Sequence, residues 1–146
     1  MRDLPRQLTV EQLAELFEGD TALVERLATL DDPLGQAREV ARSLSADEQK
    51  AVLDAHPAIG ARGGVSARSA AEQGTDDDPE VLGELADLNR LYEERFGFRF
   101  VVFVNRRPRR EIVPVLRARL ERPRIEELET GVDELVQIAI DRWRRS

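Results

Sequence analysis

Apolar residues along the chain recur at three- and four-residue spacings rather than in strict alternation, the pattern of amphipathic helices that each bury one face. In the last such stretch, Leu128, Val132, Leu135, Val136, Ile138, Ala139 and Trp143 fall on one arc when successive residues turn by about 100°. Leu82, Leu85, Tyr92 and Phe96 share another. The pattern predicts helices starting at Thr9 and covering about 20–30, 34–44, 46–55, 66–73, 80–95, 108–120 and 123–144. Gly19, Pro33, Pro57, Gly60, Gly63, Gly64, Pro79, Gly97 and Pro123 punctuate them. Thr9 with Gln12 and Ser45 with Glu48 have capping-box spacing, in which two side chains satisfy each other's free backbone donors, so both helix starts are well defined. The expectation is an all-α, single-domain bundle of about seven to nine short helices spanning 1–146.

One stretch departs from the helical period. Residues 98–104, FRFVVFV, have β character, yet no second run is available to pair with them, and a lone strand has nowhere to place its ladder hydrogen bonds. The expectation is a buried extended segment or short irregular helix whose backbone groups face a ligand. The ARGG at 61–64 breaks the chain between two helices but matches neither GxGxxG nor a P-loop. No internal repeat is present.

Composition narrows the chemistry. A chain of 146 residues buries roughly 68–70% of its unfolded surface, enough for a core without staples. With no cysteine, disulfides, thiolate catalysis and cysteine-based metal sites are excluded, and no metal site is predicted. A net charge of −7 disfavours nonspecific attraction to nucleic acid or anionic membrane. Lys50 is the only lysine, which disfavours Schiff-base and pyridoxal chemistry. No apolar run approaches the ~18 residues of a membrane span, and MRDLPRQLTV has no leader-like apolar region, so a cytoplasmic location is expected.

Five polar features stand out, most with an ordinary alternative. His56, the only histidine, closes the helix before Pro57, which forces it out of helical geometry. It is either a histidine at the favourable end of a helix dipole or a general acid or base near neutral pH. Ser69, Glu72 and Gln73 share a helix face on which a hydroxyl, a carboxylate and an amide can converge on a small polar ligand; SxxEQ is also a common solvated face. Arg142 lies inside the apolar arc of the last helix. It either snorkels to water or meets a carboxylate or carbonyl, and its place in the final turn predicts a fold that tolerates its replacement. Asn89, on the arc of Leu85 and Tyr92, needs hydrogen bonds if buried, and a structural role is expected. The cluster Arg106, Arg107, Arg109 and Arg110 reads first as a solvated loop and only distantly as a phosphate contact.

These features occur in a recognisable order: His56-Pro57-Ala58-Ile59-Gly60; Ser69-Ala70-Ala71-Glu72-Gln73; Leu88-Asn89 with Tyr92; Arg95-Phe96-Gly97-Phe98-Arg99-Phe100-Val101; and Ile138-Ala139 with Arg142-Trp143. Over roughly residues 45–146 the sequence resembles the OHCU decarboxylases, which convert 2-oxo-4-hydroxy-4-carboxy-5-ureidoimidazoline (OHCU) to (S)-allantoin in urate breakdown. The resemblance implies an all-α, cofactor-free decarboxylase, commonly a homodimer. It implies catalytic roles for His56, Glu72 and Arg142, and substrate contacts at Pro57, Ser69, Glu72 and Gln73 and at the backbone of Phe100, Val101, Val102, Phe103 and Val104. Two departures are visible: FEGDTALVERL replaces a longer segment with an HSPW-like motif, and Arg99 replaces a proline. The competing expectation from a different class is a non-catalytic helical interaction module, which would neither accelerate loss of CO2 from the substrate nor bind allantoin.

Overall fold

The computed structural model describes residues 3–59 and 78–145, and among these there are seven helices and no strand. They are α1 (Val10–Phe17), α2 (Ala22–Leu27), α3 (Pro33–Ser43), α4 (Ala46–Asp54), α5 (Pro79–Phe96), α6 (Arg109–Leu120) and α7 (Arg124–Arg145). The helix expected over 66–73, with Ser69, Glu72 and Gln73, lies outside the described residues.

Helix starts follow local chemistry. Thr9 N–H donates to Gln12 Oε1 at 2.9 Å while Gln12 N–H donates to Thr9 Oγ1 at 3.1 Å. Ser45 and Glu48 repeat the exchange at 3.0 and 3.1 Å. Both predicted capping boxes are therefore formed, each worth on the order of 1 kcal/mol to its helix. α3 and α5 begin with proline at the first turn, where the missing N–H has no helical partner to lose. α2 is shorter than its predicted span because its last residues turn at Ala28 rather than continue. At the end of α5, Gly97 adopts φ +80°, the left-handed cap that turns the chain into 98–104.

α7 is the spine. Its apolar arc packs against α1, α3 and α4, while α5 pairs with α6 and α2 sits against α1, α3 and α4. Leu128, Val132, Leu135, Val136, Ile138 and Ala139 are all buried, and Trp143 is half-buried with its indole N–H donating to Asp3 O at 2.7 Å. Gly131 lets α4 approach closely: a Cβ there would stand 3.1 Å from a Leu53 methyl. That contact seats the end of α4 on the N-terminal half of α7.

The anomalous segment 98–104 is neither helix nor strand and is mostly buried, and it borrows hydrogen bonds from side chains instead of a neighbouring strand. Arg119 on α6 donates to Val101 O at 2.7 Å, and its guanidinium lies 4.5 Å from the Phe100 ring centroid. Arg107 reaches Phe103 O at 2.7 Å and Val104 O at 2.9 Å, and Glu134 accepts from Phe103 N–H at 3.3 Å. Arg107 thus turns inward from the basic cluster onto its own backbone.

Arg119 also belongs to a buried charge hub. Glu127 is fully buried and accepts from Tyr92 Oη at 2.6 Å, Arg119 Nε at 2.7 Å and Arg122 Nη1 at 2.9 Å. Burial first, and then the bond to Glu127, raise the Tyr92 hydroxyl well above its ordinary pKa, which keeps it a donor. The hub ties α5, α6, α7 and the 98–104 segment together. Glu127→Ala should lower unfolding free energy by about 3–5 kcal/mol, the range for removing one partner of a buried pair, because Arg119 is left uncompensated. Urea denaturation checks this; a loss under about 1 kcal/mol would show the hub to be dispensable.

Candidate active site

Three chain ends meet at His56. α4 stops at Asp54, and Ala55 and His56 turn away from it, with His56 N–H still donating to Leu53 O at 3.1 Å. Pro57 follows and is half-buried. α1 stops at Phe17, and the turn Glu18-Gly19 lies against the end of α4: a Cβ on Gly19 would touch Ala55 Cβ at 3.4 Å. From the third direction, the last turns of α7 bring in Arg142.

Arg142 does not snorkel. It is 2% exposed, and its Nη1 lies 3.1 Å from Glu18 Oε1 and donates to Leu16 O at 3.0 Å. Leu16 is in the last turn of α1, whose carbonyls have no helical partner, so the guanidinium both caps α1 and meets a cation-favouring helix end. Its predicted need for a carboxylate or carbonyl is met by one of each. The final turn of α7 is tied to α1 by these contacts, and the melting temperature of Arg142→Ala tests the expectation that the fold tolerates its replacement.

Sequence inspection missed Glu18. It takes φ 64°, a left-handed conformation that costs a non-glycine residue on the order of 1 kcal/mol, and its negative charge stands at a helix C-terminus, where the dipole disfavours it. A glutamate against both preferences, immediately before a glycine, was the available signal. Its compensation comes from residue 142, which no local pattern reveals.

Arg99 occupies the position of the resembled family's proline and fastens the 98–104 segment to the same corner. Its backbone N–H donates to Asp54 Oδ1 at 3.0 Å, and Nη1 reaches His56 O at 2.7 Å and Asp54 O at 3.4 Å. It thereby caps the end of α4 and fixes the main chain of His56. Asn89 behaves as expected of a structural residue: buried, it donates to Leu85 O at 2.9 Å and to Ile59 O at 3.3 Å, holding the stretch after Pro57 to α5.

The imidazole of His56 is buried at 7% exposure, and its Nδ1 has no hydrogen-bond partner among the described residues. Burial first, and then the neighbouring Arg142, push its pKa down from 6.5 to about 4; Arg99 adds in the same direction and Glu18 opposes them. At neutral pH the ring is uncharged, with a buried nitrogen poised to accept or donate. A buried imidazole whose basicity is shifted by burial and a neighbouring cation is a functional-site candidate. His56 and Arg142 are thus brought together. Pro57 adjoins them, and Arg99 tethers the start of Phe100 to Val104. Within that segment Val101 O, Phe103 N–H, Phe103 O and Val104 O are engaged by the chain's own side chains.

Comparison with known proteins gives the chain a lineage. The OHCU decarboxylase family model matches residues 2–144. The chain is 26% identical over 140 residues to a 2-oxo-4-hydroxy-4-carboxy-5-ureidoimidazoline decarboxylase of Haloferax volcanii, covering 89% of this chain and 83% of that one. It is 26% identical over 149 residues to the uric acid degradation bifunctional protein PucL of Bacillus subtilis, covering 95% of this chain but 30% of that protein, so it spans less than a third of this relative. A crystal structure of OHCU decarboxylase in the presence of (S)-allantoin superposes with a TM-score of 0.74 at 24% identity, covering 90% of this chain and 94% of that one. A crystal structure of (S)-allantoin synthase gives 0.66 at 17% identity, covering 91% and 47%. At these identities the structural matches establish the shared all-α fold.

The depressed pKa fixes a pH dependence of stability. Between about 4 and 6.5 the unfolded chain binds a proton that the folded chain refuses, so this contribution falls as pH drops through that window and is full above it. The shift corresponds to roughly 3 kcal/mol. Urea unfolding at pH 7 and pH 4.5 should show a smaller acid loss for His56→Gln than for wild type; equal losses would contradict a buried neutral imidazole.

Proposed function

The chain belongs to the OHCU decarboxylase family, and from that premise we propose that it catalyses cofactor-independent decarboxylation of 2-oxo-4-hydroxy-4-carboxy-5-ureidoimidazoline to (S)-allantoin in urate catabolism. The single observation that carries the proposal is the pairing of a buried, neutral His56 with a buried Arg142 at one corner of the bundle.

The substrate's carboxylate stands on a carbon next to a C=N bond. When the bond to CO2 breaks, its electron pair is delocalised into the imine, so the protein has to supply orientation, anion stabilisation and one proton on one face of the carbon bearing the ureido group. Arg142 suits the anion: a guanidinium held at one edge by Glu18 and Leu16 O is a preorganised cation in a dry site. His56 suits the proton. Burial first, and then Arg142 and Arg99, keep it neutral in the resting site, and an anionic substrate beside it works against them, favouring the protonated form from which it donates. In this reading Glu72 orients the imidazole or binds the ureido group, Ser69 and Gln73 line the same face, and Pro57 with the backbone of Phe100 to Val104 completes the contacts. These assignments rest on the resemblance.

A non-catalytic interaction module has no need of an imidazole made less basic by burial and by a neighbouring guanidinium. The reading extends to a cytoplasmic homodimer acting on a small molecule, with neither nucleic acid nor membrane as partner; no described helix is long and apolar enough to cross a membrane. The dimer and the location rest on the resemblance and on composition.

With urate oxidised in situ, the wild-type protein should accelerate formation of allantoin whose circular dichroism is that of the S enantiomer; an unaltered, racemic time course would end the proposal. His56→Gln should lose on the order of 10²- to 10⁴-fold in turnover. Arg142→Lys, which keeps the charge without the planar fork, should fail almost as badly as Arg142→Ala. Full activity in the lysine variant would reduce Arg142 to a distant charge.

A further inference from the structure

We propose that Glu18 is the positioning residue of this site, holding the Arg142 guanidinium from the turn after α1 and so setting where it stands relative to the His56 ring. The consequence for turnover rests on the decarboxylase reading; the geometry does not.

Three observations converge on the residue. Glu18 Oε1 and Leu16 O, two residues apart on one turn, grip the same Arg142 nitrogen at 3.1 and 3.0 Å. That turn abuts Ala55, the residue before His56, so any displacement of it moves guanidinium and imidazole relative to one another. Finally, a glutamate stands where backbone and helix dipole would favour glycine or asparagine, so its carboxylate contact with Arg142, and not the turn geometry, accounts for the residue.

Among the described residues, the charged groups acting on the imidazole are Arg142 from α7, Arg99 from the segment after α5, and Glu18 from the turn after α1. Both arginines make His56 less basic, and Glu18 alone among the three makes it more so. Glu18 therefore has two effects: it fixes the cation that is to meet the substrate anion, and it offsets part of that cation's suppression of His56 protonation.

Because His56 is the only histidine, its titration is read without ambiguity by NMR in the full chain. Three variants separate the roles. Glu18→Gln keeps length and hydrogen bonding but removes charge; Glu18→Asp keeps charge; Glu18→Gly relieves the backbone and removes the side chain. The expected result is a His56 midpoint shifted to lower pH in Glu18→Gln, with kcat/KM for OHCU reduced about 10- to 100-fold, the scale of a misplaced catalytic group. Glu18→Asp should recover part of both, and Glu18→Gly should be as impaired as Glu18→Gln despite its easier backbone. A wild-type titration and rate in Glu18→Gln, or wild-type activity in Glu18→Gly, would overturn the proposal. Should Glu18→Gln not fold, the aspartate and glycine variants carry the comparison. Should wild-type protein prove inactive on OHCU, the decarboxylase reading fails, while the His56 titration in the variants still decides whether Glu18 governs this corner.

Discussion

A cation buried on an apolar helix face dictates much of this structure. Arg142 cannot sit on the arc of α7 that carries Leu135 and Ala139 without a counter-charge, so the end of α1 must arrive with a carboxylate and a free carbonyl, and it does so through Glu18 and Leu16. Once α1 is placed by that demand, its turn touches the end of α4, and His56 is delivered beside the guanidinium. The interaction thus links the first and last described helices and creates the electrostatic setting of the only imidazole.

A second buried hub solves the other problem posed by the sequence. An apolar segment with β character and no partner strand is a hazard unless its backbone is satisfied, and Arg119, Arg107 and Glu134 perform that task. Arg119 is itself held by Glu127, which also receives Tyr92 and Arg122. Arginine, with its fork of donors, suits this work better than lysine, and the chain's near-exclusive use of arginine for positive charge fits the demand.

What the sequence revealed follows the range of the interactions. Both capping boxes, the α7 arc and the bond from Asn89 to Leu85 O rest on contacts or periodicity within a few residues and were legible. Arg142 was recognisable as misplaced, but its partners at positions 16 and 18 lie more than a hundred residues away and left no local trace. The same limit hid the Glu127 hub, whose charges look like ordinary helix-surface residues until Tyr92 and Arg119 are folded against them. Arg99 was visible only as a departure from the resembled family's pattern; its role in capping α4 and holding His56 O emerges from the fold. The resemblance supplied the family and the assignments at Ser69, Glu72 and Gln73, whereas composition and periodicity alone reached only an all-α domain with an isolated histidine.

The central claim is that Arg142 and His56 form one substrate-binding corner. A crystal structure of this protein with (S)-allantoin tests it most directly. The account predicts a guanidinium nitrogen of Arg142 and a ring nitrogen of His56 each within about 3.2 Å of the ligand's polar atoms, with Glu18 still paired to Arg142. Allantoin bound elsewhere, with Arg142 engaged only by α1, would contradict it.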